Sequence, residues 1–196
     1  MTDHHDDAPI AAQVRELEAL LEEKGLLDAR ELDRALEAFT ANASPANGFR
    51  VVARAWVDED FKARLLDDAN AALPAIGLSM SSGLQVQALK VVENTPDVHN
   101  VVVCTLCSCY PIALLGPSPT WYKSPAYRSR VVTHPREVLA QFGFVPPDDV
   151  EIRVWDATAE TRYLVLPRRP AGTEHLGEDE LRALVTRNGL IGTAAV

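Results

Sequence analysis

Residues 104–109 read Cys-Thr-Leu-Cys-Ser-Cys and hold every cysteine of the 196-residue chain. Three thiols packed this tightly have no use on a solvated surface, whereas thiolates are strong, soft ligands for transition metals. The spacing also dictates a shape. A chain that aims Cys107 and Cys109 at one point must turn tightly, and the turn carries the amide nitrogens of Ser108 and Cys109 to the same place. Cys104, Cys107 and Cys109 therefore read as a site made from one loop, with sulfur and main-chain nitrogen as donors.

The bulk numbers set bounds around that loop. Hydrophobic residues make up 47% and charged residues 24%, enough for one domain with a full core and an extension. A net charge of −9 argues against sequence-independent nucleic-acid binding, which needs a clustered basic surface. Met1 to Asp7 is polar and acidic with no apolar segment behind it, so no secretory signal is expected. No apolar run approaches the roughly 18 residues of a membrane span. An odd number of clustered cysteines is the wrong layout for a disulfide framework. A cytoplasmic chain is expected, with its thiols serving metal or redox chemistry.

Residues 1–48 read as an acidic tail, including His4 and His5, followed by a helical arm. Ile10, Val14, Leu17 and Leu21 recur at helical spacing, and Lys24-Gly25 is a stop signal. Asp28 with Glu31 resembles a capping box for a second helix carrying Leu32, Leu36 and Phe39. A loop is expected over Asn42 to Gly48. Two amphipathic helices in this position either pack on their own domain or reach out to a partner.

Residues 49–196 read as the main domain. Helices are expected over Phe49 to Val57 and from the Asp58 cap to near Pro74, with a loop over Gly77 to Gly83. After it the period changes. Val86, Ala88, Val91 and Val92, then Val101 to Val103, form strands on either side of the turn Asn94 to Asp97. The cysteines come directly off the second strand, where a rigid scaffold holds a loop free to take its own shape. A helix over Pro119 to Val132 is kinked or divided at Pro125, and another follows Pro135. Strands Glu151 to Trp155 and Arg162 to Leu166 are joined by a hairpin-like connection, Asp156 to Glu160. A helix over Glu178 to Arg187 ends the pattern. Helices, strands, helices, strands and helix in that order give α+β rather than a doubly wound parallel sheet.

Spacing alone leaves the chemistry of the cysteines open. A structural zinc site needs four closed ligands, and only His99 is close enough in sequence to be an obvious fourth. Cys104 to Cys107 has the C-x-x-C spacing of a redox pair, but the third cysteine is no part of that motif. A catalytic metal with an open position is the third reading, and inert thiols are the fourth.

The residues themselves narrow the choice. Val103-Cys104-Thr105-Leu106-Cys107-Ser108-Cys109-Tyr110 closely resembles the metal-binding loop of the nitrile hydratase alpha subunit. The resemblance continues through Val92 to Asn100, Trp121-Tyr122-Lys123-Ser124, Tyr127 to Val132, Glu151 to Asp156 and Arg162 to Pro167. It runs from about Ile10 to Gly192. It implies a layered α/β/β/α domain behind the helical arm, which would contact a partner subunit. It also implies a low-spin trivalent cobalt, Co(III), or less expectedly Fe(III). Thr105 and Tyr110 resemble the cobalt branch. The implied ligands are the sulfurs of Cys104, Cys107 and Cys109 and the amides of Ser108 and Cys109. Cys107 would be a sulfinic acid and Cys109 a sulfenic acid.

The implied reaction is hydration of a small-molecule nitrile to its amide. Cys109, Cys107 and Gln85 would stand nearest the chemistry. Tyr110, Ile112 and Trp121 would line the substrate pocket. Thr105, Asp156, Glu160 and Arg162 would form an outer hydrogen-bond network. The implied partners are beta-type subunits supplying arginines in a heterotetramer or larger assembly, and an activator that loads cobalt. Two alternatives share the loop: a subunit of a thiocyanate hydrolase-like enzyme, or a non-catalytic metal carrier. After Tyr110 the sequence departs from the family pattern, with Ile112 where a tryptophan is usual. The resemblance then implies a wider pocket that accepts bulky or heteroaromatic nitriles.

Overall fold

The computed structural model describes residues 8–80, 87–107 and 109–196, without the side chains of 39–42. The chain divides into two compact units between Ala41 and Asn42. The first carries α1 (Ala8–Glu23) and α2 (Ala29–Asn42). Gly25, with φ +65°, turns the chain between them, as a left-handed glycine after a helix does. The Asp28 carboxylate caps α2 by accepting from the amides of Arg30 and Glu31.

The second unit opens with α3 (Pro45–Val57), α4 (Glu59–Asp67), α5 (Ala69–Ala72) and a 3-10 turn at Leu73–Ile76. The loop expected over Asn42 to Gly48 is mostly helix. Ser44 caps α3 and Pro45 occupies its first turn, a start signal that outweighs the glycine. Gly48 is there for space: a Cβ would stand 2.7 Å from Leu115 and 2.8 Å from Leu190. Asp58 and Asp68 each cap the helix that follows them, so the long helix expected to run toward Pro74 is broken at Asp68.

Strands β1 (Ala88–Glu93), β2 (Val98–Val103), β3 (Glu151–Asp156) and β4 (Thr161–Leu166) form two parallel pairs, β1 with β4 and β2 with β3. The hairpin expected between β3 and β4 does not form. Beyond β3 the chain stays with β2 for one more bond, Ala157 N to Val103 O at 2.7 Å. It then turns between Thr158 and Thr161 and enters the other pair. Parallel pairing requires long crossovers. Between β2 and β3 that crossover holds α6 (Ile112–Leu115), α7 (Thr120–Lys123), α8 (Pro125–Thr133) and α9 (Pro135–Gln141). Pro125 divides the expected helix into α7 and α8, with Ser124 capping α8. The final helix is also divided, into α10 (Glu178–Leu184) and α11 (Arg187–Ile191), because Thr186 caps a new start.

Helices α4 and α5 pack on β1, the two strand pairs meet through β1, β2 and β4, and α9 packs on β3. This is a layered, mixed α+β arrangement. Residues His99 to Val103 of β2 are all buried, which explains the apolar run Val101 to Val103. Among the described residues, no helix is long and apolar enough to cross a membrane.

Candidate metal centre

Strand β2 delivers the cysteine loop from the middle of the fold. Its last turn is fixed on both sides: the Tyr127 hydroxyl donates to the Val102 carbonyl at 2.7 Å, and Ala157 N donates to Val103 O. Cys104 is buried, Cys109 half-buried and Cys107 exposed. All three sulfurs lie within 4.8 Å of one another. Cys104 Sγ is 3.4 Å from Cys107 Sγ, which is 3.2 Å from Cys109 Sγ. The Cys107 amide also points at Cys104 Sγ, at 3.3 Å.

Two of the three sulfur pairs therefore distinguish one metal geometry from another. At a metal–sulfur distance of about 2.3 Å, tetrahedral ligands stand about 3.8 Å apart and right-angled ligands about 3.3 Å. The observed spacings match ligands at right angles and are too short for a tetrahedral zinc. His99 does not complete a zinc set either. It sits at the opposite end of β2, with Nε2 on the Gly192 carbonyl at 2.7 Å and Nδ1 on Asn94 Nδ2 at 3.2 Å. The two spacings are those of right-angled ligands, which a six-coordinate ion has and a tetrahedral zinc lacks.

The loop is held from outside by both acceptors and donors. At its start the Asp156 carboxylate accepts from Thr105 N at 2.9 Å and from Thr105 Oγ1 at 2.5 Å. The register explains this, because Asp156 is the partner of Val103 at the ends of β3 and β2. At its end the buried Tyr122 hydroxyl donates to the Cys109 carbonyl at 2.9 Å. Arg128 Nη1 donates to the Cys107 carbonyl at 3.2 Å. Arg162 is buried and closes the β3–β4 turn through the Thr158 and Ala159 carbonyls. Glu160 lies in that same turn and accepts from the Thr158 hydroxyl.

Burial dominates the electrostatics. With support from Cys107, and only partly offset by the Arg162 charge, it pushes the Cys109 thiol up to about 12. The hydroxyls of Tyr110, Tyr122 and Tyr127 are held well above the usual phenol range for the same reason. Among the described residues, Arg128 Nε and Arg162 Nε are buried here without a hydrogen-bond partner. Such orphans are rare in folded proteins.

The nitrile hydratase alpha-chain family model matches residues 8–194. This chain belongs to the nitrile hydratase alpha-chain family. A low-molecular-weight cobalt-containing nitrile hydratase alpha subunit from Rhodococcus rhodochrous is 52% identical over 185 residues, covering 94% of this chain and 88% of its own. A thiocyanate hydrolase gamma subunit from Thiobacillus thioparus is 41% identical, covering 95% of this chain and 83% of its own. Among solved structures, an iron-type nitrile hydratase double mutant from Comamonas testosteroni Ni1 superposes with a TM-score of 0.89 at 41% identity. It covers 97% of this chain and 91% of the other.

Within this nitrile hydratase alpha-chain fold, Cys104, Cys107 and Cys109 converge, and Thr105 and Asp156 join them. Gln85 and Ser108 lie outside the described residues. Tyr110 is buried edge-on against Tyr122. Trp121 packs against Tyr122, Tyr127 and Phe142, and Ile112 is half-buried against the core. The sequence assigned no role to Arg128 or Tyr122 beyond the blocks that resemble the family. The available signal was a block rich in hydroxyl and guanidinium groups just beyond the cysteine loop.

Proposed function

We propose that the chain is the metal-bearing alpha subunit of a cytoplasmic nitrile hydratase, which adds water across a carbon–nitrogen triple bond to give an amide. The observation that carries this reading is the convergence of three sulfurs at the end of β2, with two of their pairs 3.4 and 3.2 Å apart. Sulfur donors from Cys104, Cys107 and Cys109, with the amide nitrogens of Ser108 and Cys109, would hold a trivalent cobalt and leave one position open. Curated relatives named as cobalt-containing support cobalt over iron. Bound there, the ion supplies Lewis acidity that makes the nitrile carbon electrophilic.

The protein supplies the rest. Cys107 as a sulfinic acid and Cys109 as a sulfenic acid place oxygens beside the open position. The Cys109 oxygen acts on the nitrile carbon directly or takes a proton from the attacking water. Tyr110, Ile112 and Trp121 shape the pocket, with Gln85 at its edge. Thr105, Asp156, Glu160 and Arg162 keep the loop rigid. The smaller side chain of Ile112 widens the pocket for heteroaromatic nitriles. Equal or faster turnover of acetonitrile than of a heteroaryl nitrile would reject that preference.

The loop tip supports a subunit partner. Leu106 is 90% exposed between two cysteines, an apolar side chain awaiting cover. On α1, Ile10, Val14, Leu17 and Leu20 are also exposed, which supports residues 1–48 as an arm docking on the beta-type subunit, ahead of the catalytic domain at 49–196. Arginines from that subunit would reach the oxidised sulfurs in a heterotetramer or larger assembly, after an activator delivers cobalt. The test is mass spectrometry of the segment 101–123 from the co-expressed complex, with cobalt measured on the same sample. Two added oxygens on Cys107 and one on Cys109, together with cobalt, are expected. Unmodified thiols or zinc would reject the reading. A thiocyanate hydrolysis assay on the same sample distinguishes the rival activity of the Thiobacillus relative's namesake.

A further inference from the structure

One short segment grips the cysteine loop through its backbone oxygens. Residues 122–128 send three donors to three carbonyls: Tyr122 to Cys109, Tyr127 to Val102 and Arg128 to Cys107, at 2.9, 2.7 and 3.2 Å. Two are neutral phenols. Among the described residues, Arg128 is the one charged side chain on a carbonyl of the loop. It follows Tyr127 on α8, so the bond from Tyr127 to β2 fixes the distance from which Arg128 reaches.

The carbonyl that Arg128 holds is distinctive. The Cys107 oxygen belongs to the peptide whose nitrogen is that of Ser108, one of the two proposed amide ligands. In a trans peptide the C=O and N–H bonds point in opposite directions within one plane, so a donor that fixes the direction of the Cys107 oxygen also fixes the direction in which that peptide can offer its nitrogen. To donate to a cation the peptide nitrogen gives up its proton to solvent, and the resonance that keeps the group planar spreads the resulting negative charge onto the oxygen. A guanidinium on that oxygen makes a charge-assisted hydrogen bond that strengthens as the charge grows. Tyr122, by contrast, holds the oxygen of the Cys109–Tyr110 peptide, whose nitrogen is not among the proposed ligands.

Resting on the metal reading above, we infer that Arg128 is a positioning residue for the metal centre. It orients the Cys107–Ser108 peptide and stabilises it as a donor. Outer hydrogen bonds of this kind change metal affinity by about 10- to 100-fold.

The test uses the cobalt-loaded complex co-expressed with its beta-type partner, in wild-type form and as Arg128→Ala, Arg128→Lys and Tyr122→Phe. The measurements are cobalt bound per complex at limiting supply, the energy of the sulfur-to-metal charge-transfer band, and thermal unfolding as a folding control. Arg128→Ala is expected to lower apparent cobalt affinity about 10- to 100-fold and to move the band, with unfolding little changed. Arg128→Lys, which keeps the charge, recovers most of the cobalt. Tyr122→Phe stays within about threefold of wild type, because its carbonyl bond is worth only about 1 kcal/mol. Wild-type cobalt content and an unmoved band in Arg128→Ala would overturn the inference. So would an equal loss in Tyr122→Phe, which would reduce Arg128 to a loop tether. A wild-type complex with no cobalt and no band would instead sink the metal reading, and this inference with it.

Discussion

Strand β2 carries a polar cluster at each end, and the two are built on opposite plans. At its start, Asn94, His99 and Asn100 satisfy one another. Asn94 Oδ1 accepts from Asn100 N and Nδ2, Asn94 Nδ2 meets His99 Nδ1, and His99 Nε2 donates to Gly192. Asn100 Oδ1 then accepts from the Trp155 indole. At the other end, three thiols crowd together while, among the described residues, Arg128 and Arg162 each keep a buried nitrogen without a partner. A closed network fixes a fold, and an open one waits for a group the chain does not encode. Stability and function are therefore expected to respond to different ends of one strand.

The sharpest break in this contrast comes from Cys109→Ala in the assembled, metal-loaded enzyme. Nitrile hydration should fall to background, while thermal unfolding of the chain changes little. Retained amide formation would refute the assignment.

Gly192→Ala should do the reverse. Its φ is +85°, and a Cβ would fall 1.9 Å from the Asn100 carbonyl oxygen. That clash with backbone has no flexible partner to yield. A loss of roughly 3 kcal/mol or more in denaturant unfolding is expected.

Asp156→Ala lies between these two. It frees Thr105 at the entry to the loop. Cobalt affinity should drop about 10- to 100-fold, read by metal content at limiting supply, with a smaller change in stability. An unchanged metal content would remove Asp156 from the site.

The smallest effect is a pH slope. Burial lowers the pKa of His99 from its usual 6.5, partly opposed by the Gly192 carbonyl. The folded state therefore resists a proton that the unfolded chain accepts. The stability is fully present above pH 6.5 and is lost as the pH falls through the depressed folded value. The slope from this one group is at most about 1.4 kcal/mol per pH unit. His99→Gln should flatten the acid limb of stability against pH. An identical slope in both proteins would show that another group controls it.

The site was more legible in the sequence than the topology around it. Cys104, Cys107 and Cys109 announce themselves because metal chemistry restricts both residue type and spacing. Asp58, Pro125 and Pro135 marked helix ends correctly, since capping and proline geometry are local. Strand pairing is not local. Asp156 to Glu160 looked like a hairpin connection, but the deciding bonds are Ala157 to Val103 and Ala88 N to Glu160 O, between segments far apart in the chain. Gly48 misled for a related reason: its role is to admit Leu115 and Leu190, which no local pattern reveals. Arg128 was hidden because its partner is a backbone oxygen, and backbone oxygens leave no trace in sequence.

The long crossovers have a consequence for how such a centre is made. The cysteines, the Tyr122–Arg128 grip and Asp156 occupy three stretches that meet only once β3 has docked beside β2. A ribosome-bound chain ending near Cys109 has the thiols but neither clamp. Contacts of this kind form late. A centre assembled this way would take its ion into a finished receptacle rather than use it as the seed around which the polypeptide condenses.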